Sequence, residues 1–269
     1  MRTIRTLGYY LQSIFEMVVH FKNWPVLIPL VLRNHPSKMT KLNLRHPPVE
    51  MNVRSAMDVW SVKETFLDQF YTRYGVPVED GWTVVDIGAG IGDYCVYATF
   101  GNPRVDLFAF EPFPGSIAVL NQNLALNSIE NVHVFQQALW RSDGSLSLDL
   151  TSGEPLQISS RESSTESLHA ESITVEALTL ESMFSNQGLE NVDLLKMDCE
   201  GAEYEILFST PEATLQRIKR IIMEYHDLDS DHKHPALVAF LEGSGYQVTC
   251  YPNLVHEDIG YLYAVLRSF

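Results

Sequence analysis

The sequence predicts an α/β fold with a mostly parallel sheet covered on both faces. Three observations carry this: strand-like and helix-like segments alternate from Trp82 onward, a glycine-rich turn follows the first of those strands, and the last two strands are joined by a loop with no helical pattern. The elements read in order as follows. Leu7 to Leu32 is a helical stretch rich in aromatics, Tyr9, Tyr10, Phe15, Phe21 and Trp24, which resembles a segment that lies in a membrane interface. Glu16, His20 and Lys22 spoil a signal-peptide core, and the run from Trp24 to Leu32 contains Pro25 and Pro29 and is too short to span a bilayer. Lys41 to Arg45 and Val49 to Arg54 read as short strands around His46, Pro47 and Pro48, and Asp58 to Tyr74 as an amphipathic helix begun by an acidic N-cap.

The alternation then runs through strand Thr83 to Ile87, a helix from Asp93, strand Val105 to Phe110, helix Pro114 to Asn127 and strand Val132 to Gln136. Residues 141–172 loosen into a polar segment with Ser159, Ser160, Ser163, Ser164 and Ser167, read as a long hairpin or mobile insertion. Order returns with a helix from Leu180, strand Val192 to Met197, a helix after Gly201, strand Ile218 to Tyr225 and helix Pro235 to Leu241. Tyr246 to Tyr251 and Tyr261 to Leu266 are expected to form an antiparallel edge. The division that follows is an N-terminal extension of helices and a β-hairpin over 1–57 and a main domain over 58–269.

Composition excludes several classes. In 269 residues, 45% are apolar and 20% charged, which is globular rather than disordered. A net charge of −15 repels phosphate backbones, so nucleic acid is not an expected partner. Cys95, Cys199 and Cys250 lie far apart without a CxxC spacing, which predicts neither disulfides nor zinc and suits a reducing, cytoplasmic compartment. No HxxxH helix or comparable spacing appears, so no metal site is expected.

The run Asp86-Ile-Gly-Ala-Gly-Ile-Gly92 is the most informative: an apolar strand delivers an acid and then Gly88, Gly90 and Gly92, with Ala89 between the first two. Such a turn lets a ligand approach the backbone where a Cβ would intrude. A dinucleotide fingerprint needs its third glycine one residue later, where Asp93 stands. An acidic helix start disfavours a pyrophosphate, so the cationic S-adenosylmethionine fits better than NAD. Glu111, 19 residues after Gly92, ends the second strand at the position of an acid that accepts from two ribose hydroxyls. Pro112 and Phe113 are placed to flank adenine, and Gln136, Gln137, Ala138 and Leu139 to meet its edge.

Asp86-Ile-Gly-Ala-Gly-Ile-Gly-Asp93, Phe110-Glu-Pro112 with Asn121 and Asn127 downstream, and Leu195-Lys-Met-Asp-Cys-Glu-Gly-Ala-Glu203 together resemble the FkbM family of S-adenosylmethionine-dependent methyltransferases. The resemblance runs from about Asp58 to Leu266 and takes in the Lys63-Glu64 pair. It implies the class I methyltransferase (Rossmann-like) sheet, seven strands in the order 3-2-1-4-5-7-6, within 58–269. It also implies an O-methyltransferase acting on a sugar, a glycolipid or polysaccharide precursor, or a polyketide-type metabolite. Ala89 departs from the family, where many members have Asn.

Lys196, Asp198, Glu200 and Glu203 crowd the end of the fourth strand, where the sheet crevice would place the transferred methyl group. Asp198 has two readings, lining the methionine tail of the cofactor or the acceptor pocket; Lys196 pairs with a carboxylate, and Glu200 and Glu203 either join the site or favour the next helix start. Methyl transfer to a hydroxyl needs alignment and removal of one proton. His226, ending the fifth strand, is the expected proton acceptor because an ordinary imidazole titrates near neutrality, with Glu224 or Asp227 to orient it. His232 and His234 in the Asp231-to-Pro235 loop suit a lid or, with nearby acids, a metal site, the latter disfavoured by the absence of a metal-ligand spacing. A base-modifying amino-methylating enzyme would carry an Asn-Pro-Pro-aromatic turn after the fourth strand, absent here; a non-catalytic cofactor-binding scaffold is the alternative reading.

Overall fold

A computed structural model describes residues 2–32, 39–149, 172–229, 232–253 and 255–269. The chain opens with α1 (Arg2–His20), a 3₁₀ turn (Trp24–Val26) and α2 (Leu27–Leu32). No described helix is long and apolar enough to cross a membrane. The expected hairpin forms from β1 (Thr40–Asn43) and β2 (Glu50–Val53). Two asparagines fasten it to the rest of the chain: Asn52 N–H donates to Asn123 Oδ1 (2.6 Å), and Glu50 exchanges a pair of bonds with the Asn127 amide (3.0 and 2.7 Å).

The helix expected over Asp58 to Tyr74 is broken. It runs as α3 (Ala56–Lys63), a π-helical turn (Glu64–Asp68) and α4 (Phe70–Tyr74), with Gln69 between them at φ 54°. That left-handed residue costs about 1–2 kcal/mol without a glycine and swings α4 onto a new axis. Lys63 Nζ bonds Asp68 (2.7 Å to Oδ1) and so spans the π-helical turn that precedes Gln69. The N-cap is Ser55, which accepts from the Asp58 N–H, while Asp58 pairs with Arg54.

The alternating core follows as β3 (Thr83–Ile87), α5 (Asp93–Thr99), β4 (Asp106–Phe110), α6 (Pro114–Leu126) and β5 (Val132–Phe135). Two corrections follow. Ala138 does not end the third strand but opens β6 (Ala138–Leu139), which lies parallel to β8 (Ser172–Leu178). β8 in turn pairs antiparallel with β7 (Gly144–Asp149), so the arms of the insertion form a small second sheet. Leu146, Leu148, Val175 and Ala177 bury one face of that sheet, although the segment reads as too polar for core. The serines from Ser159 to Ser167 lie outside the described residues.

The remaining elements are α7 (Leu180–Asn186), β9 (Leu194–Met197), α8 (Glu203–Ser209), α9 (Glu212–Leu215), β10 (Arg220–His226), α10 (His234–Gly243), β11 (Tyr246–Pro252) and β12 (Ile259–Leu266). The seven-stranded sheet has the order β5-β4-β3-β9-β10-β12-β11, which is the 3-2-1-4-5-7-6 order of class I methyltransferases. β12 runs antiparallel to both neighbours, so the antiparallel strand sits one place in from the edge and β11 forms the edge itself. Successive residues face opposite sides of the sheet. Val85, Ile87, Leu195, Met197, Ile221 and Met223 face a core shared with α7, α8 and the small sheet. Val84, Leu107, Leu194, Ile222 and Tyr261 face a second core shared with the N-terminal helices and the hairpin. Asp86, Lys196 and Glu224 share the alternation of that second set, which puts charged groups under the N-terminal segment at the carboxyl ends of the strands.

Candidate active site

The glycine turn leaves β3 and meets the ends of β4 and β9. Gly88 and Ala89 both donate their N–H to Phe110 O (3.0 and 3.1 Å), which locks the turn against β4. Gly88 has φ 75°, and a Cβ there would stand 1.8 Å from Asp198 O, so only glycine lets the β9 end pass. Gly92 serves packing, since a Cβ there would come within 2.8 Å of Leu120 Cγ. Gly90 differs: a Cβ built there meets open space, while its N–H donates to Glu111 Oε2 (2.9 Å). Glu111 Oε1 accepts from Phe113 N–H (2.9 Å). Each carboxylate oxygen has a second acceptor lobe, so the pair retains capacity for two further donors. Burial pushes the Glu111 carboxyl up to about 7, against the pull of the two N–H groups.

Asp86 is fully buried, and its cross-strand neighbour in register is Lys196. Asp86 Oδ1 lies 2.9 Å from Lys196 Nζ as a charge contact, while the aligned bond of that ammonium goes to Gly88 O (3.1 Å). Burial alone would lower Lys196; the carboxylates of Asp86 and Asp198 hold it above its ordinary value. Lys196 therefore braces the glycine turn from beneath, and its partner is Asp86 rather than an acid of its own strand end.

The acceptor-side residues gather where β9 and β10 end. Tyr71, aimed by the break at Gln69, donates to Asp198 Oδ2 (2.7 Å). Glu200 stands at φ 54° with Oε2 3.4 Å from His226 Nε2. His226 Nδ1 lies 3.4 Å from Oε1 of the fully buried Glu203, which also accepts from Cys199 N–H (3.1 Å). Burial alone would lower His226; Glu203, then Glu200 and Asp198, push it up to about 10. In this setting the ring holds a proton at neutral pH, unlike the ordinary imidazole on which the sequence reading relies. Asp227 does not orient it: that carboxylate takes Tyr204 and His234 instead. His232 pairs with Asp229, and Asp231 lies outside the described residues.

Glu64 and Glu224, both singled out in the sequence, and two residues without a sequence signal, Tyr71 and Tyr261, complete this edge. Glu64 accepts from Trp60 Nε1 (2.9 Å), and burial with the charges of Asp198 and Asp68 pushes it up to about 8. Glu224 retains some contact with water but is walled by protein, so burial, Asp198 and Glu64 raise it well above the carboxylate range. Tyr261, its cross-strand neighbour, is 1% exposed with an unpartnered hydroxyl. Tyr71 is the fourth, and burial with Asp198 raises its phenol. Of the residues expected at the adenine edge, Pro112 and Gln137 are half-buried and Ala138 is fully buried. Glu111 N–H bonds Phe135 O (3.1 Å), which brings the segment after β5 alongside Glu111.

These groups fit S-adenosylmethionine. A buried carboxylate with spare acceptor lobes faces a glycine beside open space, and the adjacent strand ends are lined with acids suited to a sulfonium and an ammonium. Residues 86–248 match the family model described as the methyltransferase FkbM domain. The chain is 29% identical to methyltransferase sdnD of Sordaria araneosa over 70% of this chain and 81% of that protein. It is 27% identical to the 31-O-demethyl-FK506 methyltransferase FkbM of Streptomyces tacrolimicus, over 69% and 80%. The solved structure of a putative rRNA methylase from Clostridium thermocellum aligns at a TM-score of 0.47 with 14% identity, covering 74% of this chain and 94% of that one. With a family match that begins near the end of β3, ends in β11 and takes in more than half of the chain, this protein belongs to the FkbM family of S-adenosylmethionine-dependent methyltransferases.

Proposed function

We propose that the protein methylates a hydroxyl of a sugar, a glycolipid or polysaccharide precursor, or a polyketide-like metabolite. The observation that carries this is the edge where Asp198, held by Tyr71, and Glu200 stand beside His226 with the raised carboxyls of Glu64 and Glu224 close by, a set of hydrogen-bonding groups suited to a neutral hydroxyl acceptor. The name of the Streptomyces relative, which specifies methylation at an oxygen, supports the same reading. When bound, S-adenosylmethionine would supply a methyl group on a sulfonium, and its transfer to the acceptor oxygen would break the C–S bond, leave a neutral thioether and release the hydroxyl proton to water.

The residues divide as follows in this reading. Glu111 takes the ribose diol, Gly90 and Ala89 leave room beside it, and Pro112, Gln137 and Ala138 border the adenine. Gly88 and Gly92 shape the turn, and Asp86 acts through Lys196 on the Gly88 carbonyl. Asp198 borders both the methionine tail and the acceptor, and Glu200 and His226 flank the acceptor. Separate substitutions Glu200→Gln and His226→Asn are expected to cut turnover at least about tenfold, the scale of losing one charged contact, while S-adenosylhomocysteine still binds. Transfer of a labelled methyl group to hydroxylated glycans and polyketides checks this. Label recovered on nitrogen or carbon of the product contradicts the reading.

The acceptor is further proposed to be presented at a lipid surface. Of the fourteen large apolar side chains exposed among the described residues, eight lie between Leu7 and Ile28, including Leu11 (60%) and Phe15 (68%). So dense a patch, with Tyr10 and Trp24 on it, suits an interfacial helix. The opposite side of α1 reaches the site: Tyr9 O–H donates to Asp68 (2.7 Å), its ring lies 5.9 Å from Trp60, and Trp60 bonds Glu64. Residues 1–57 then serve as a membrane-contacting extension of a methyltransferase domain over 58–269. Full-length protein is expected to co-sediment with neutral vesicles independently of salt, and Leu11→Asp with Phe15→Asp to abolish this without changing the melting temperature. Equal sedimentation of the variant removes the idea.

A further inference from the structure

We propose that Asp198, Glu200 and His226 form a divalent metal site at the carboxyl edge of the sheet, next to the cofactor position. It deepens the hydroxyl-methylation reading and rests on that reading for its purpose. One ligand atom from each residue lies within 4.8 Å of the other two. Metal bonds of about 2.0–2.2 Å at near-right or tetrahedral angles set neighbouring ligand atoms about 3–3.6 Å apart. His226 Nε2 and Glu200 Oε2 already stand 3.4 Å apart.

The surroundings have the form of a ligand shell. A metal-bound histidine commonly gives its other ring nitrogen to a carboxylate, which fixes the tautomer. Here Nδ1 faces Glu203 Oε1 at 3.4 Å, and Glu203 is itself fully buried and anchored by the Cys199 N–H. Nε2 is thereby turned toward Glu200, and an ion bound there would displace the proton that the ring otherwise carries. The second, independent observation is Tyr261: its hydroxyl is buried and has no hydrogen-bond partner, and its ring lies 6.3 Å from that of Tyr71, which donates to Asp198. A buried hydroxyl in that state points to a ligand atom that completes the site.

Sequence spacing gives no hint of this site because its ligands come from two strand ends that meet only in the folded sheet. Two carboxylates and an imidazole suit Mn²⁺, Fe²⁺ or Zn²⁺. An ion there would coordinate the acceptor hydroxyl and ease loss of its proton to solvent water, and the freed oxygen pair would form the bond to the methyl carbon.

The test titrates full-length protein with Mn²⁺ alone and follows the paramagnetic resonance signal of the free ion. One ion per chain is expected, with at least tenfold weaker uptake in both Glu200→Gln and His226→Asn. Because His226 is buried, each variant is first shown to bind S-adenosylhomocysteine; Glu200, side chain 37% exposed, keeps the test alive if His226→Asn fails to fold. No uptake at millimolar Mn²⁺, or unchanged uptake in a folded variant, overturns the site. Retained S-adenosylhomocysteine binding in that event leaves the methyltransferase reading standing.

Discussion

Glu111→Gln is expected to weaken S-adenosylhomocysteine binding by about 10²- to 10⁴-fold, the equivalent of two charge-assisted bonds at about 1.5–3 kcal/mol each. The carboxylate already accepts from Gly90 and Phe113, so its remaining lobes are what the ribose diol would use. An amide in its place sets an NH₂ against one of those backbone donors and offers a single acceptor oxygen. The same residue gives the binding a pH signature. Its carboxyl is pushed from the ordinary 4.5 up to about 7, so the free folded chain holds a proton there that the unfolded chain releases near 4.5. The stability from that proton is fully present below the unfolded value and is lost as pH rises through about 7. A diol needs the ionised form, so binding has to expel the proton. The dissociation constant should weaken about tenfold per pH unit below about 7 and level off above it. Calorimetry from pH 5.5 to 8 checks this, and Glu111→Gln should remove the dependence.

Lys196→Met is expected to destabilise the protein by about 3–5 kcal/mol at pH 7, because it leaves the Asp86 carboxylate buried without its cation. Beside Lys196, the Asp86 carboxylate meets the weak donor Cys95 Sγ, 3.4 Å from Oδ2. Asp86→Leu combined with Lys196→Met should recover most of that loss, since an apolar pair of similar volume removes both charges. The recovered fold would still lack the brace on Gly88 O, so the double variant is expected to be stable yet impaired in S-adenosylhomocysteine binding. Urea denaturation of the four members of this cycle measures the coupling. A single variant within 1 kcal/mol of the parent, on the order of one surface hydrogen bond, contradicts the account.

The parts of this molecule that follow short-range rules are visible in the chain itself. Val84 to Ile87, Leu107 to Phe110 and Leu194 to Met197 announce buried parallel strands, and the interval from Gly92 to Glu111 brings an acid to the glycine turn. The parts that depend on backbone breaks and distant pairing are not visible. Gln69 carries no mark of a left-handed residue, so the contact between Tyr71 and Asp198, 127 positions apart, has no local signal. Ser145-Leu-Ser-Leu148 alternates as a half-buried strand does, but the serine-rich stretch that follows it draws the whole segment toward a loop reading. His226 looks like an ordinary strand-end imidazole until Glu203, an acid in the first turn of α8, is found buried beside it.

The most direct measurement is a crystal structure with S-adenosylhomocysteine bound. Both ribose hydroxyls are expected within about 2.5–3.0 Å of the two Glu111 oxygens, with the thioether sulfur directed toward Asp198. A nucleoside seated elsewhere, with Glu111 still holding only the Gly90 and Phe113 amides, would contradict the account.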